Sequence, residues 1–244
     1  MRRHLAAGAS FLAISLVAHA GPSNHYVEKP IGDRAVKLPL LSGFSPACEE
    51  NSKIARRAQL MTPKTSIFLT CFVEAGKWRN FVAGRSTELY PYIAVAVMAP
   101  TQGGNFSPEE FEKLRAAAHK KLGNLLTNAK ANQRRLSEQD RKLAAGGMPI
   151  KRENYQQSLR GFFEPVGATG SFSFIAIRSV TLSEGGATKT LNEVNAVSTI
   201  LYSGRLLGLS VVDQTTDKDL GLRAQEITSR WLHVFRELNE SKSR

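Results

Sequence analysis

The side chains with the clearest chemical potential in this 244-residue chain are basic. Between Lys113 and Arg152 stand Lys113, Arg115, Lys120, Lys121, Lys130, Arg134, Arg135, Arg141, Lys142, Lys151 and Arg152, opposed only by Glu138 and Asp140. The whole chain has a formal net charge of +12, so most of the excess falls in this one segment. Bases at that density attract anions and hold them through charge-assisted hydrogen bonds. Near a membrane surface each base contributes about 1 kcal/mol toward anionic headgroups. Nucleic acid phosphates would be held through counterion release. No Phe, Tyr or Trp interleaves with these bases to stack on nucleobases, which makes nucleic acid the weaker reading. Lys120, Lys121, Lys130, Arg134, Arg135, Arg141 and Lys142 are therefore the candidate contacts for an anionic envelope surface or an acidic protein. The competing reading is a solvated face that keeps the protein in solution.

Most signatures of catalysis are missing from the sequence. It holds no G-x-S-x-G, no H-E-x-x-H and no C-x-x-C. Gly185-Gly186-Ala187-Thr188-Lys189-Thr190 superficially resembles a phosphate loop, but its Lys falls three residues after the second Gly and its flanks read as strands. It is better read as a hairpin turn. His25, His119 and His233 stand far apart in sequence, whereas a metal centre needs three or four converging ligands. Glu49-Glu50 and Glu109-Glu110 fall at helix starts, where acids offset the dipole. No catalytic residue, metal ligand or cofactor is nominated.

The two cysteines, Cys48 and Cys71, read as a disulfide if the chain is exported. Closing so short a loop is worth about 3 kcal/mol in the chain-entropy picture. The alternative is a buried free thiol, with Cys71 sharing a strand face with Ile67, Leu69 and Val73. Export itself is suggested by the first twenty residues. Arg2 and Arg3 precede an apolar run from Leu5 to Val17, and Ala18-His19-Ala20 has the small-residue cleavage pattern. The run is shorter than the roughly 20 apolar residues of a spanning helix. The expectation is a periplasmic or secreted protein beginning near Gly21, with no transmembrane segment after the leader.

The remaining elements must position these residues. Gly21 to Ala35 is polar and expected to be loose, and Val36 to Leu40 reads as a short strand, with Pro39 confining it to an edge or a strand end. Glu49 to Leu60 reads as a helix with Ile54 and Ala58 inward, and Ser66 to Val73 as a strand. Tyr92 to Met98 is nearly all apolar, which predicts a strand buried on both faces. Ser107-Pro108-Glu109-Glu110 opens a helix with a capping box, and Phe111, Leu114, Ala118, Leu122 and Leu125 fall on one face. That helix is expected to continue to about Ala145 and to give way to a loop at Gly146-Gly147-Met148-Pro149, with 126–157 as a basic insertion. Ser171 to Leu182, Thr188 to Tyr202 and Arg205 to Asp213 read as strands, the last two joined at Ser203-Gly204. Leu220, Ala224, Ile227, Trp231, Val234, Phe235 and Leu238 form the stripe of a final helix. The order predicts one α+β domain over 36–244, a mainly antiparallel sheet covered by helices.

Leu38-Pro39 with Gly43-Phe44, the Ser107-to-Phe111 helix start, the hairpin around Tyr202-Ser203-Gly204 and the Trp231 helix together resemble the PsbP-like fold, over roughly Val36 to Leu238. That resemblance implies a sheet sandwiched by helices, in a fold group richer in binding and assembly factors than in enzymes; fold alone assigns no function. The expectation is thus an exported, non-enzymatic binding or accessory protein. The alternative is an envelope-acting hydrolase whose site is dispersed in sequence, which a deep pocket with converging His, Glu or Ser would favour. Exposed apolar residues near Trp78 and Phe81 would favour an assembly role. Oligomeric state is left open.

Overall fold

A computed structural model describes residues 25–147, 151–165, 170–184, 187–214 and 221–240. The stretch read as a leader and the Gly185-Gly186 positions read as a hairpin turn lie outside the described residues. The chain enters as a hairpin, β1 (Tyr26–Ile31) and β2 (Arg34–Pro39), paired from Tyr26↔Pro39 to Ile31↔Arg34. Much of the stretch expected to be loose is therefore strand. The reason is burial: Ile31, Val36 and Leu38 are almost fully enclosed in the main core.

The principal sheet has seven antiparallel strands, β3 (Phe44–Ser45), β4 (Ser66–Glu74), β5 (Tyr92–Met98), β6 (Lys151–Phe163), β7 (Ser171–Glu184), β8 (Ala187–Tyr202) and β9 (Arg205–Gln214). Their spatial order is β3-β4-β5-β9-β8-β7-β6. The helices are α1 (Ala47–Glu50), α2 (Ser52–Met61), α3 (Ala75–Val82), α4 (Pro108–Thr127), α5 (Ala129–Ala145) and α6 (Leu222–Glu240). This is the α+β sandwich that the order of elements predicts.

One face of the sheet is covered by α6 and the β1–β2 hairpin. Trp231 and Phe235 stack on each other with centroids 5.1 Å apart and pack among Ile93, Val95, Val97, Leu207, Leu209 and Val211. Trp231 Nε1 donates to the Pro39 carbonyl at 3.1 Å. Asn239 completes the seam: its Nδ2 donates to the Lys37 carbonyl at 2.8 Å, and its Oδ1 accepts from the Lys37 amide at 3.1 Å. Strand β5 differs from expectation. Ile93, Val95 and Val97 are buried, but Tyr92, Ala94, Ala96 and Met98 are only half-buried. On the second face, Asn195, Val197 and Thr199 of β8 and Gly208 and Ser210 of β9 are half-buried too. A Cβ placed on Gly208 would meet only the Ala96 carbonyl, at 3.9 Å. This face of the central strands is a shallow, partly open floor, because its helices rest on the outer strands.

On that second face α1, α2 and α3 pack on β4, where Cys48 and Cys71 are disulfide-bonded with Cα atoms 5.1 Å apart, in a small core with Ala47, Val73 and Trp78. Helices α4 and α5 rest on β6. The Ser107 capping box forms as predicted: Ser107 Oγ accepts from the Glu110 amide at 3.1 Å, and Glu110 Oε2 accepts from the Ser107 amide at 2.7 Å. Phe111 packs on Phe172 and Leu206. The expected continuous helix is two helices. Asn128 leaves the helical conformation and its side chain accepts from the Ala131 amide at 3.0 Å, capping α5. The stretch read as an insertion supplies α5 and the first part of β6, which extends the sheet; Gly146 and Gly147 form a turn at the end of α5, as expected, and Met148 and Pro149 lie outside the described residues.

Arg205, only 3% exposed, fixes three connections at once. Its guanidinium donates to the Gln102 carbonyl at 3.1 Å, to the Ser203 carbonyl at 2.8 Å and to the Asp33 carboxylate. Gly204, at φ 73°, presses against the Gly104 backbone, where a Cβ would fall 2.2 Å from the carbonyl oxygen.

Candidate anion-binding face

The basic residues divide according to helix geometry. Successive residues turn by about 100° around a helix. In α5 the buried side chains are Asn132, Leu136 and Leu143, which seat the helix. Lys130, Arg134 and Arg141 fall on the opposite side, exposed. In α4, Phe111 points inward, Lys120 lies on the far side, Lys121 lies on a flank, and both lysines are exposed. Among the described residues no carboxylate lies within 4 Å of Lys120, Lys121, Lys130, Arg134 or Arg141. The helix acids pair elsewhere, Glu112 with Arg115 at 3.1 Å and Glu138 with Lys64 at 2.9 Å. The result is an outward ridge of cations along each of the two helices. Leu125, expected on the inward stripe, is instead 63% exposed, in the last turn of α4.

Arg135 and Lys142 stand apart from this ridge, on the flank of α5 facing the turn between α2 and β4. With Thr62, Lys64, Thr65 and Glu138 they line a cavity of about 180 Å³. Gln139 Nε2 donates to the Met61 carbonyl at 2.6 Å and ties the two walls together. Arg135 Nη2 reaches Tyr155 Oη and Gln157 Oε1 only at 3.5 Å. The Lys64 ammonium bonded to Glu138, helped by Lys142 and Arg141, holds that carboxyl below its usual range. Lys64 lies far outside the basic segment in sequence, and only the contact of α2 with α5 brings it here.

A second polar cluster escaped the sequence reading. Arg178 and Glu193 are cross-strand partners on β7 and β8, and the Arg178 guanidinium donates to Glu193. The Tyr90 hydroxyl donates to the other carboxylate oxygen, and Tyr92 bonds to Arg178. Burial, reinforced by the charge of Glu193, pushes the Tyr90 phenol far above its ordinary range; burial likewise raises Tyr92. Burial opposes the Arg178 charge, but Glu193 and the two tyrosines outweigh it and keep the guanidinium protonated. Each Glu193 oxygen accepts from a different element, Oε1 from Tyr90 and Oε2 from Arg178, so this carboxylate is a pin between them. The sequence signal that existed was the strand register, which sets residues 178 and 193 opposite each other.

The features that would favour a hydrolase or an assembly surface fall out differently. His119 stacks on Phe162 with centroids 3.9 Å apart, and His233 faces Glu237 at 3.2 Å on the outer side of α6. Among the described residues no three His, Cys, Asp or Glu converge to hold a metal. Trp78 is buried, donates to Glu50 Oε2 at 2.5 Å and stacks on Phe81, while Val82 beside them is 65% exposed, a single apolar side chain at the end of α3. Among the described residues no helix is long and apolar enough to cross a membrane.

No protein-family model matches the chain, and no curated protein does. Two solved structures are similar over 89% of this chain and 94% of theirs. One is a substituted form of protein Mog1, at 13% identity and a TM-score of 0.34. The other is the Saccharomyces cerevisiae Ran-binding protein Mog1p, at 11% and 0.31. Likeness this distant bears on neither partner nor chemistry.

Proposed function

We propose that the protein is an exported, non-enzymatic binding or accessory protein that lays the outer ridge of α4 and α5 on an anionic envelope surface. The observation that carries this reading is the set Lys120, Lys121, Lys130, Arg134 and Arg141, exposed together and without carboxylates within 4 Å among the described residues. At about 1 kcal/mol per base near an anionic surface, five bases supply roughly 5 kcal/mol at low ionic strength. Screening removes much of that as salt rises. Export is supported by the leader pattern of residues 1–20 and by the pairing of the only two cysteines in a disulfide. The helix-sheet-helix layering supports the PsbP-like reading of the fold.

The test is co-sedimentation with vesicles of phosphatidylcholine alone or mixed with phosphatidylglycerol. The protein is expected to bind the mixed vesicles only, and less as salt rises. K130Q/R134Q/R141Q should weaken binding by about 3 kcal/mol, or more than a hundredfold, with the melting temperature nearly unchanged. Equal binding by the neutralised variant would remove the ridge from the function. Retention of an acidic protein without vesicle binding would replace the membrane by that partner.

A further inference from the structure

We infer that the cavity between α5 and the turn after α2 is a phosphomonoester site, which deepens and rests on the reading that α5 faces an anionic partner. Its walls carry three cations, Lys64, Arg135 and Lys142, and one carboxylate, Glu138. Two positive charges remain, which matches the roughly −1.5 to −2 of a phosphomonoester better than the single charge of a phosphodiester. The carboxylate is already committed to Lys64 at 2.9 Å. Among the described residues Lys142 has no carboxylate within 4 Å, although Glu138 sits one turn before it. Arg135 is held only at the outer limit of hydrogen bonding, 3.5 Å from Tyr155 and Gln157, so its fork can turn toward the cavity at little cost. An arginine fork reads phosphate through two parallel bonds, and lysine adds a point charge.

The hydroxyls sort in the same way. Thr62 Oγ1 donates to the Ala58 carbonyl at 2.9 Å, which leaves Thr65 as the neutral donor on the rim. The cavity has a fixed shape, because Gln139 ties α5 to Met61 and a Cβ on Gly146 would fall 2.8 Å from Leu60 Cδ1. Ridge and cavity thus have separate roles. The ridge draws any anionic surface, and the cavity selects a phosphate that ends its ester.

Two arms separate a soluble ester from a lipid headgroup. The soluble probe is glycerol 3-phosphate, followed by NMR; the lipid arm compares phosphatidic acid with phosphatidylglycerol at equal mole fraction in phosphatidylcholine vesicles. The wild type should bind glycerol 3-phosphate saturably, shift the signals of residues 64, 65, 135 and 142, and prefer phosphatidic acid. K64A/K142A should weaken glycerol 3-phosphate binding by at least about tenfold and lose the lipid preference while still binding phosphatidylglycerol vesicles. R135K, which keeps the charge and removes the fork, should weaken the ester in the same direction. K130Q/R134Q/R141Q should lose the phosphatidylglycerol vesicles and keep the soluble ester. A wild type that shows no saturable ester signal and binds both lipids equally overturns the cavity site and leaves the ridge standing. Saturable ester binding with no vesicle binding at all overturns the surface reading and supports the cavity as a site for a free ester.

Discussion

Reducing the Cys48–Cys71 bond separates two contributions to stability that the structure places together. The bond spans a sequence separation of 23. Opening such a loop restores about 11 cal/mol/K to the unfolded chain, or about 3.4 kcal/mol at room temperature. The substitution C48A/C71A does more. Both sulfurs are buried beside Ala47, Val73 and Trp78, so trimming them adds roughly 1–2 kcal/mol for lost packing. In a domain of this size each kcal/mol moves the melting temperature by about 2–4 °C, so reduction alone should lower it by about 7–14 °C and the double variant by somewhat more. Cys48 and Cys71 are 8% and 4% exposed, so reductant reaches them only through opening of the α1–β4 contact. The native protein should therefore resist mild reductant and become sensitive near its transition. The assay is scanning calorimetry of oxidised protein, reduced protein checked by mass, and the alanine variant. A fully reduced protein that melts within about 2 °C of the oxidised form would refute the loop-entropy argument, because no native contact replaces the crosslink.

R205A should cost about 1–3 kcal/mol in urea unfolding, since it leaves the Gln102 and Ser203 carbonyls without their donor while the exposed Asp33 carboxylate returns to water; R205K should recover only part of that. N128A should cost about 0.5–2 kcal/mol by removing the cap of α5, and hydrogen exchange should show the loss first at the start of that helix. Tyr90 and Tyr92 have raised folded-state values through burial, so their contribution is complete below the ordinary phenol range and lost as pH rises through it; phenolate absorbance should show a late step that coincides with alkaline unfolding, absent from Y90F/Y92F. Glu138 has a lowered folded-state value, so its pairing with Lys64 stabilises above the ordinary carboxylate range and fades as acid protonates it. An E138Q variant should show a flatter acid limb in its stability profile, and an unchanged limb would assign that limb to other carboxylates.

Strong periodicity made parts of the fold readable. Trp231 and Phe235 recur at helical spacing, and the β8–β9 hairpin is announced by Ser203-Gly204, where both residues take positive φ. The edge strand β6 gave no such signal. Asn154, Gln156, Ser158 and Arg160 are exposed and Tyr155, Gln157 and Leu159 between them are half-buried, but only Leu159 of those three is aliphatic, so the alternation in exposure is not one of polar and apolar types, and the ladder slips twice, between Glu153 and Gln156 and between Leu159 and Gly161. Ala94 and Ala96 misled in the opposite sense. Their apolar type suggested burial, whereas their small size leaves the second face of β5 partly open. The cluster of Tyr90, Tyr92, Arg178 and Glu193 was hidden because nothing in the sequence relates the Tyr90–Tyr92 segment to the cross-strand pair Arg178 and Glu193. The basic segment was visible as composition, but its division into an outward ridge and a cavity wall depends on where Leu136 and Leu143 seat α5.

That division also explains how the charge is tolerated. Cations concentrated beside a core would destabilise it unless each found a partner, yet Lys130, Arg134 and Arg141 have no carboxylate within 4 Å among the described residues. Helices α4 and α5 rest on β6, the last strand of the sheet, while the main core lies on the opposite face under α6. The ridge points outward from that edge into solvent, where repulsion among like charges is screened over about 8–10 Å at ordinary ionic strength. Substitutions there should change binding with little effect on folding, and Arg205 or the disulfide should do the reverse. A surface whose charge can be varied independently of the core is what an electrostatic contact needs, and the edge position of β6 provides it.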